Sequence, residues 1–342
     1  MSVIPQDIGP QESARAVTAH WENAEWTALV SSWIHSALEG VTDVTTVQTR
    51  PWATVRKVVA AGETYWFKAS IPSGRHEPEL TAYLAREFPG RVPDILAQDQ
   101  AQGWWMMRDV GDPLETFKDR SERRLSAIRE YTVIQQSTAK DVETLANLGL
   151  ATMNGSDVCT MLEQLLTQSE LLGYGRRHGA TADELELLST MVPKIEGLGR
   201  ELDQIGIPNT IQHDDLSDAN ICVNSRGEIA FIDWADAYVG PPFGSLLFPQ
   251  REALSEGGDA ALRQIANVYA ENWRGGRWSH DELVRAVELA TPLAVISKAA
   301  SWNRAMSGVE RSQLGPYYAY PELRWLRKLF EPDASWRTLL QG

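Results

Sequence analysis

Between Ile211 and Trp234 the chain carries oxygen-bearing side chains at spacings that can do chemistry. The segment runs His213-Asp214-Asp215-Leu216-Ser217-Asp218-Ala219-Asn220, then an apolar stretch Ile221-Cys222-Val223, then Asn224-Ser225-Arg226-Gly227, and closes on Glu228-Ile229-Ala230-Phe231-Ile232-Asp233-Trp234. The middle tetrapeptide has turn chemistry, with Gly227 free to take a positive φ. The flanking runs read as two strands of a hairpin. An antiparallel return brings Asn220 and Asp233 side by side at its open end, because paired strands run about 5 Å apart. Two hard oxygen donors at that separation suit a magnesium ion. Asp215, on the loop just ahead, can take the proton of an incoming hydroxyl and aim its oxygen at a phosphate. The chemistry implied is phosphoryl transfer, which needs positioning and positive charge rather than covalent participation. Two blander readings compete. A single His-x-Asp arises by chance, and an isolated Asn or Asp beside a turn often serves only to shape it. A His-Asp metal pair would need further histidines on helices, whereas the six histidines (20, 35, 76, 178, 213 and 280) are scattered and the flanks of His213 read as strand and turn.

The pattern resembles that of the aminoglycoside phosphotransferase and choline kinase family of small-molecule kinases. The family pattern is roughly H-G-D-L-x-x-x-N-I-x-V followed by I-D-W-x-D-A. Here the second part stands as Ile232-Asp233-Trp234-Ala235-Asp236-Ala237. The resemblance implies that Asp215 is the catalytic base, that Asn220 and Asp233 bind Mg²⁺, and that His213 holds the loop in shape. Two departures are visible. Asp214 replaces the usual glycine and adds a charge that bears on substrate choice, and Ala235 stands where Glu or Gly is common. The implied fold is α+β, protein-kinase-like and bilobal. Its small lobe is an antiparallel sheet plus helix and its large lobe is mainly helical, with ATP between them.

A kinase of this kind needs a strand lysine on the α- and β-phosphates and a helix glutamate to hold it. Residues 54–60 and 64–69 read as paired strands around the Ala61-Gly62-Glu63 turn, and Lys68 lies among aromatics on the second. The competing reading of Lys68 is an edge-strand lysine. Residues 77–88 read as a helix with Leu80, Tyr83, Leu84 and Phe88 on one face and Pro78 in the first turn. Glu77 is chosen over Glu79 as the partner of Lys68, since it shares a face with Leu84 at the family spacing. An acidic first turn favoured by the helix dipole is the alternative for both. Residues 103–111 read as a strand entering a hinge, which by resemblance binds adenine through its backbone. Met107 and Asp109 are assigned to that nucleotide site, the methionine as an adaptable wall. Thr49 to Thr54 takes the place of a phosphate loop without any glycine, and neither G-x-G-x-x-G nor a Walker motif occurs. That, with the absence of an A-P-E segment, argues against a protein kinase. A nucleotide-binding protein without turnover is opposed by the joint presence of Lys68, Asp215, Asn220 and Asp233.

The rest of the chain sets the frame. Its 342 residues, 43% apolar with 13 Trp, can bury a large core. A formal net charge of −14 argues against nucleic acid and anionic membranes as partners and is compatible with a cationic small-molecule hydroxyl acceptor. Oligomeric state has no readable signal. There are two cysteines, Cys159 and Cys222, the second in an expected buried strand, so a reducing cytoplasm is expected. Residues 1–7 show no basic stretch leading into an apolar run, and no leader or membrane span is expected. The expected organisation is a helical extension over 1–40 packed on the small lobe, a nucleotide-binding small lobe over 41–111, and a helical large lobe over 112–342 carrying the acceptor site. In the extension Trp26, Leu29, Val30, Trp33 and Ile34 follow helical spacing, with Asn23 as cap and Gly40 as stop. Helices are expected over 121–136, 142–150, 159–172, 182–205, 259–273 and 280–305. By resemblance, late helices line the acceptor pocket, which makes Trp302 and Arg304 acceptor candidates. Core packing and surface charge are their alternatives. Asp236 either faces the acceptor or anchors its loop.

Overall fold

The computed structural model describes residues 18–168, 170–331 and 336–340. Residues 1–17 of the expected extension lie outside them. By their contacts the residues fall into two compact units: Met1–Val110 with Trp302–Pro321, and Gly111–Ser301 with Glu322–Gly342.

The first unit is built on a five-stranded antiparallel sheet, order β1-β2-β3-β5-β4, with β1 Val41–Thr49, β2 Ala53–Ala60, β3 Glu63–Ser70, β4 Ile95–Asp99 and β5 Trp104–Arg108. Ala61 (φ 50) and Gly62 (φ 84) both take positive φ between β2 and β3, as a two-residue hairpin loop demands. Strand β1 escapes a periodicity reading because its residues are mostly exposed. Helix α1, Ala24–Ala37, starts where Asn23 Oδ1 accepts the N–H groups of Glu25 and Trp26. Its buried face, Val30 and Ile34, packs with Val58, Phe67, Trp104 and Met106 of the sheet. The Trp33 ring meets Phe67 edge-on at 5.7 Å. Burial of side chains of this size stabilises by roughly 1.5–3 kcal/mol each. Helix α2, Glu77–Glu87, follows β3.

The second unit is mainly helical: α3 Arg120–Thr138, α4 Val142–Asn147, α5 Asp157–Thr167, α6 Ala182–Ile205, α7 Leu247–Asn272, and α8 His280–Ala305 as far as Ser301. Thr181 and Glu184 form a reciprocal capping box at the start of α6, and Gly206 (φ 72) ends it. The helix expected from residue 259 is the second half of a longer element, α7, in which Gly258 (φ 61, ψ −156) breaks two helical runs. Two small sheets complete the unit. Strands β6 Asp112–Pro113, β9 Ile221–Val223 and β10 Ile229–Phe231 form one, and β7 Ala151–Thr152, β8 Thr210–Gln212 and β11 Tyr238–Gly240 the other. Both cysteines are buried, and they form no disulfide.

One boundary differs from expectation. Trp302–Pro321 groups with the first unit rather than with the rest of 112–342. The cause is aromatic packing: Trp302 meets Trp52 edge-on at 5.1 Å, and Tyr318 meets Trp52 at 5.5 Å. No described helix is long and apolar enough to cross a membrane.

Candidate active site

The hairpin of the second unit forms as its turn chemistry requires. The Asn224 side-chain oxygen accepts the N–H groups of Arg226 (2.9 Å) and Glu228 (3.0 Å), and Gly227 has φ 80. Ile221 pairs with Phe231, and the Ile232 N–H donates to the Asn220 carbonyl at 3.0 Å, so the ladder reaches the residue beside Asp233. Asp233 takes φ 63, ψ 62, a left-handed conformation that aspartate tolerates better than most residues. Strained backbone of this kind gathers at functional positions. β6 lies on the other edge of β9, and it can do so because Gly111 (φ 113) has no side chain: a Cβ there would sit 2.3 Å from the Val223 carbonyl oxygen.

The loop ahead of the hairpin is bonded to itself. Ser217 N–H donates to the Asp215 carbonyl (2.8 Å) and Asn220 N–H to the Ser217 carbonyl (2.9 Å). The Asn220 side-chain Nδ2 also donates to the Asp215 carbonyl (2.8 Å), which leaves its Oδ1 as an acceptor. His213 ties this loop to the hairpin. Its Nε2 donates to the Ile232 carbonyl at 2.8 Å, and its Nδ1 accepts the Asp215 N–H at 3.3 Å. Burial pushes His213 down to about 4, against the opposing pull of the Ile232 carbonyl and Asp233, so the ring is neutral at pH 7. The His213 backbone N–H is itself held by Tyr131 Oη (2.8 Å) and Ser245 Oγ (3.0 Å). Sequence reasoning missed both, since they lie 82 and 32 positions away and carry no local signature.

Charge around the loop is met by a lysine from α8. Asp214 is buried, 3.8 Å from Lys298 Nζ, which also donates to Asp236 at 2.8 Å. The extra charge of Asp214 is therefore met within the protein. Lys298 was not singled out from sequence; its one signal was a lysine inside the apolar run 293–299 of α8. Burial alone would lower its proton affinity, but Asp236, Asp215 and Asp214 carry it above the usual lysine range. Asp236 thereby ties the loop after the hairpin to α8. Asp215 is half-buried. Loss of hydration pushes its carboxyl up to about 6, with Lys298 opposing and Asp236 and Asp233 adding to the rise.

In the first unit, Lys68 on β3 pairs with Glu77 at the start of α2, its Nζ 2.9 Å from one carboxylate oxygen and 2.7 Å from the other. Glu77 is fully buried and Lys68 is 7% exposed, so each charge depends on the other. The other candidate, Glu79, accepts from Gln100 at 2.9 Å. Lys68 faces Trp105 across the β3–β5 ladder, and its Nζ lies 5.9 Å from that ring. Met107 pairs with Trp66 in the same ladder, and Asp109, exposed just beyond β5, accepts the Trp66 indole N–H at 2.6 Å. Trp302 is half-buried in the cluster with Trp52 and Tyr318, and Arg304 lies in the last turn of α8. The structure thus gathers His213, Asp215, Asn220 and Asp233 in one unit and Lys68, Glu77, Met107 and Asp109 in the other.

No group of three or more His, Cys, Asp or Glu side chains among the described residues could hold a metal by itself. Asn220 and Asp233 stand next to each other at the open end of the hairpin, and their side chains offer the hard oxygen donors that a magnesium ion takes.

The first unit thus holds a strand lysine ion-paired to a helix glutamate, and the second a loop-and-hairpin set of Asp, Asn and Asp. The sequence matches the model of the phosphotransferase enzyme family over residues 72–278, more than half of the chain, and the protein belongs to that family. No curated protein sequence matches it. Among solved structures it is similar to an ethanolamine kinase of Plasmodium vivax (12% identity, TM-score 0.63, covering 98% of this chain and 97% of that one). It is similar also to a macrolide 2′-phosphotransferase of Brachybacterium faecium (18% identity, TM-score 0.58, 88% and 98%). A third is a spectinomycin phosphotransferase in complex with ADP and spectinomycin (10% identity, TM-score 0.54, 91% and 97%). At these identities the likeness establishes the kinase-like fold.

Proposed function

We propose that this phosphotransferase moves the γ-phosphate of ATP, with Mg²⁺, to a hydroxyl of a small molecule such as an aminoglycoside, amino sugar, other sugar or amino alcohol. The observation that carries the reading is the bonded set of Asp215, Asn220 and His213 beside Asp233. Asp215 accepts the acceptor's hydroxyl proton as that oxygen bonds to the γ-phosphorus and the bond from phosphorus to the β–γ bridging oxygen breaks, leaving ADP. Its raised carboxyl makes it a stronger proton acceptor than an ordinary aspartate while it stays ionised at neutral pH. Asn220 and Asp233 supply the protein oxygens for the metal, which when bound adds positive charge at the phosphates. Lys68, oriented by Glu77, pairs with the α- and β-phosphates, and Met107 and Asp109 belong to the nucleotide end. ADP in the spectinomycin phosphotransferase structure supports a nucleotide donor. The net charge of −14 accords with a cationic acceptor.

The test is ADP release from Mg-ATP in a coupled assay over aminoglycosides, macrolides, amino sugars, neutral sugars, choline, ethanolamine and homoserine. One strong acceptor is expected, with loss of the signal when Mg²⁺ is chelated. No ADP release across the panel, together with no ATP-induced rise in melting temperature, contradicts the reading.

A further inference from the structure

Beneath the 215–220 loop lies a buried charge cluster that the roles above do not use. Arg124, in the first half of α3, is 1% exposed and Asp218 is 4% exposed. Arg124 grips the Asp218 carboxylate with two parallel bonds, Nε to Oδ1 at 2.9 Å and Nη2 to Oδ2 at 2.6 Å, the fork geometry that makes such pairs directional. Its Nη1 donates to Glu256 at 2.9 Å, and its Nε lies 3.3 Å from Glu252, both on α7. Arg120 donates to Glu256 at 2.6 Å from the outer side. The backbone of Asp218 is held as well: its N–H donates to Glu252 (3.0 Å) and its carbonyl accepts the Glu115 N–H (3.3 Å). Asp218 is thus fixed at side chain, N–H and carbonyl, midway between Asp215 and Asn220. Burial pushes Glu252 well above the usual carboxylate range, while the bond from Arg124 holds Glu256 down at about 2.

The loop's remaining hydrogen bonds are largely internal, joining Asp215, Ser217 and Asn220 to one another. A self-bonded turn keeps its own shape but is free to pivot unless something outside holds it. Ile232 ties both ends, through His213 at one and the Asn220 carbonyl at the other, which leaves the middle of the turn. We propose that Arg124 is a positioning residue that acts through Asp218, fixing the turn so that Asp215 and Asn220 keep their places for phosphoryl transfer. The proposal rests on the function proposed above for those two residues.

The cluster supplies its own control, because Asp218 and Glu256 are both anions on the same arginine but only Asp218 belongs to the loop. The experiment compares wild type, Asp218→Asn, Arg124→Lys and Glu256→Gln in two ways: rates of ADP production from Mg-ATP, and hydrogen–deuterium exchange of peptides covering 213–220. Melting temperatures establish that each variant is folded. Asp218→Asn and Arg124→Lys should lower kcat at least 10-fold with KM for Mg-ATP changed by less than about 3-fold. They should also raise loop exchange about 10-fold or more. Glu256→Gln should leave kcat within about 3-fold and loop exchange near wild type, whatever its melting temperature. Equal effects of Asp218→Asn and Glu256→Gln would reduce the cluster to general stability and overturn the proposal. So would unchanged loop exchange in Asp218→Asn. If wild type makes no ADP, the phosphotransfer reading fails by itself, and with it the catalytic part of the proposal; the exchange comparison still decides whether Arg124 holds the loop.

Discussion

Asp215 and Lys68 are each set by a neighbour they cannot do without. Lys68 and Glu77 are a buried pair, so removing the lysine alone strands a carboxylate at 0% exposure and is expected to cost about 3–5 kcal/mol. Lys68→Met is therefore predicted to lose both stability and activity. The double variant Lys68→Met/Glu77→Gln should recover most of the melting temperature while kcat/KM for ATP stays down by about 10²-fold. Recovery of activity along with stability would remove Lys68 from the phosphate-binding role. His213 makes a pH prediction. In the folded protein it resists protonation down to about 4, against an ordinary value near 6.5 in the unfolded chain. Between those values the unfolded chain binds more protons. The stability His213 contributes is thus complete above about 6.5 and lost as pH falls through about 4. Asp233, Asp236 and Lys298 are the charged groups that act on it. The melting temperature of wild type should approach that of His213→Gln as pH falls from 7 to 4. A constant gap would show that the ring is not buried neutral.

Elements were legible where a local rule spoke loudly. The α6 span, its capping box and terminal glycine, the Ala61-Gly62 hairpin and the Asn224–Gly227 turn all carry their own start and stop residues. β1 did not, since an exposed strand has no apolar alternation to read, and α7 hid its first half because the paired glycines at 257 and 258 look like a start rather than a break. Asp215, Asn220 and Asp233 stand in one continuous segment, so a local pattern is enough to bring them together as candidates. Arg124, Tyr131, Ser245 and Lys298 reach the same segment from far along the chain, and such meetings follow from packing rather than from pattern. Two elements carry predictions. Gly111→Ala must both strain a φ of 113 and displace the Val223 carbonyl, so β6 should part from β9 at a cost of at least about 1–3 kcal/mol. Melting should then fall by roughly 2–4 °C per kcal/mol, and an unchanged melting temperature would mean the backbone yields freely there. Ile34→Ala, at the centre of the α1 contact with the sheet, is expected to cost about 2–5 kcal/mol in chemical denaturation. A cost under 1 kcal/mol would show that α1 adds little to the first unit.

At the scale of the whole molecule, 46 acidic against 32 basic residues give a field that draws cations and repels anions. KM for a cationic acceptor should rise several-fold as ionic strength goes from about 0.01 to 0.15 M, because screening shortens the field's reach from about 30 to 8 Å. A neutral acceptor should show little change, and equal salt dependence for both would detach acceptor binding from net charge. The family and the fold define a kinase-like phosphotransferase, and the function proposed above makes Asp215 its base. The most direct test pairs turnover with binding in Asp215→Asn: ADP production with the best acceptor, and Mg-ADP affinity by calorimetry on the same preparation. The account predicts turnover down by about 10²–10⁴-fold with affinity within a factor of about 3. Near-wild-type turnover in Asp215→Asn would contradict it.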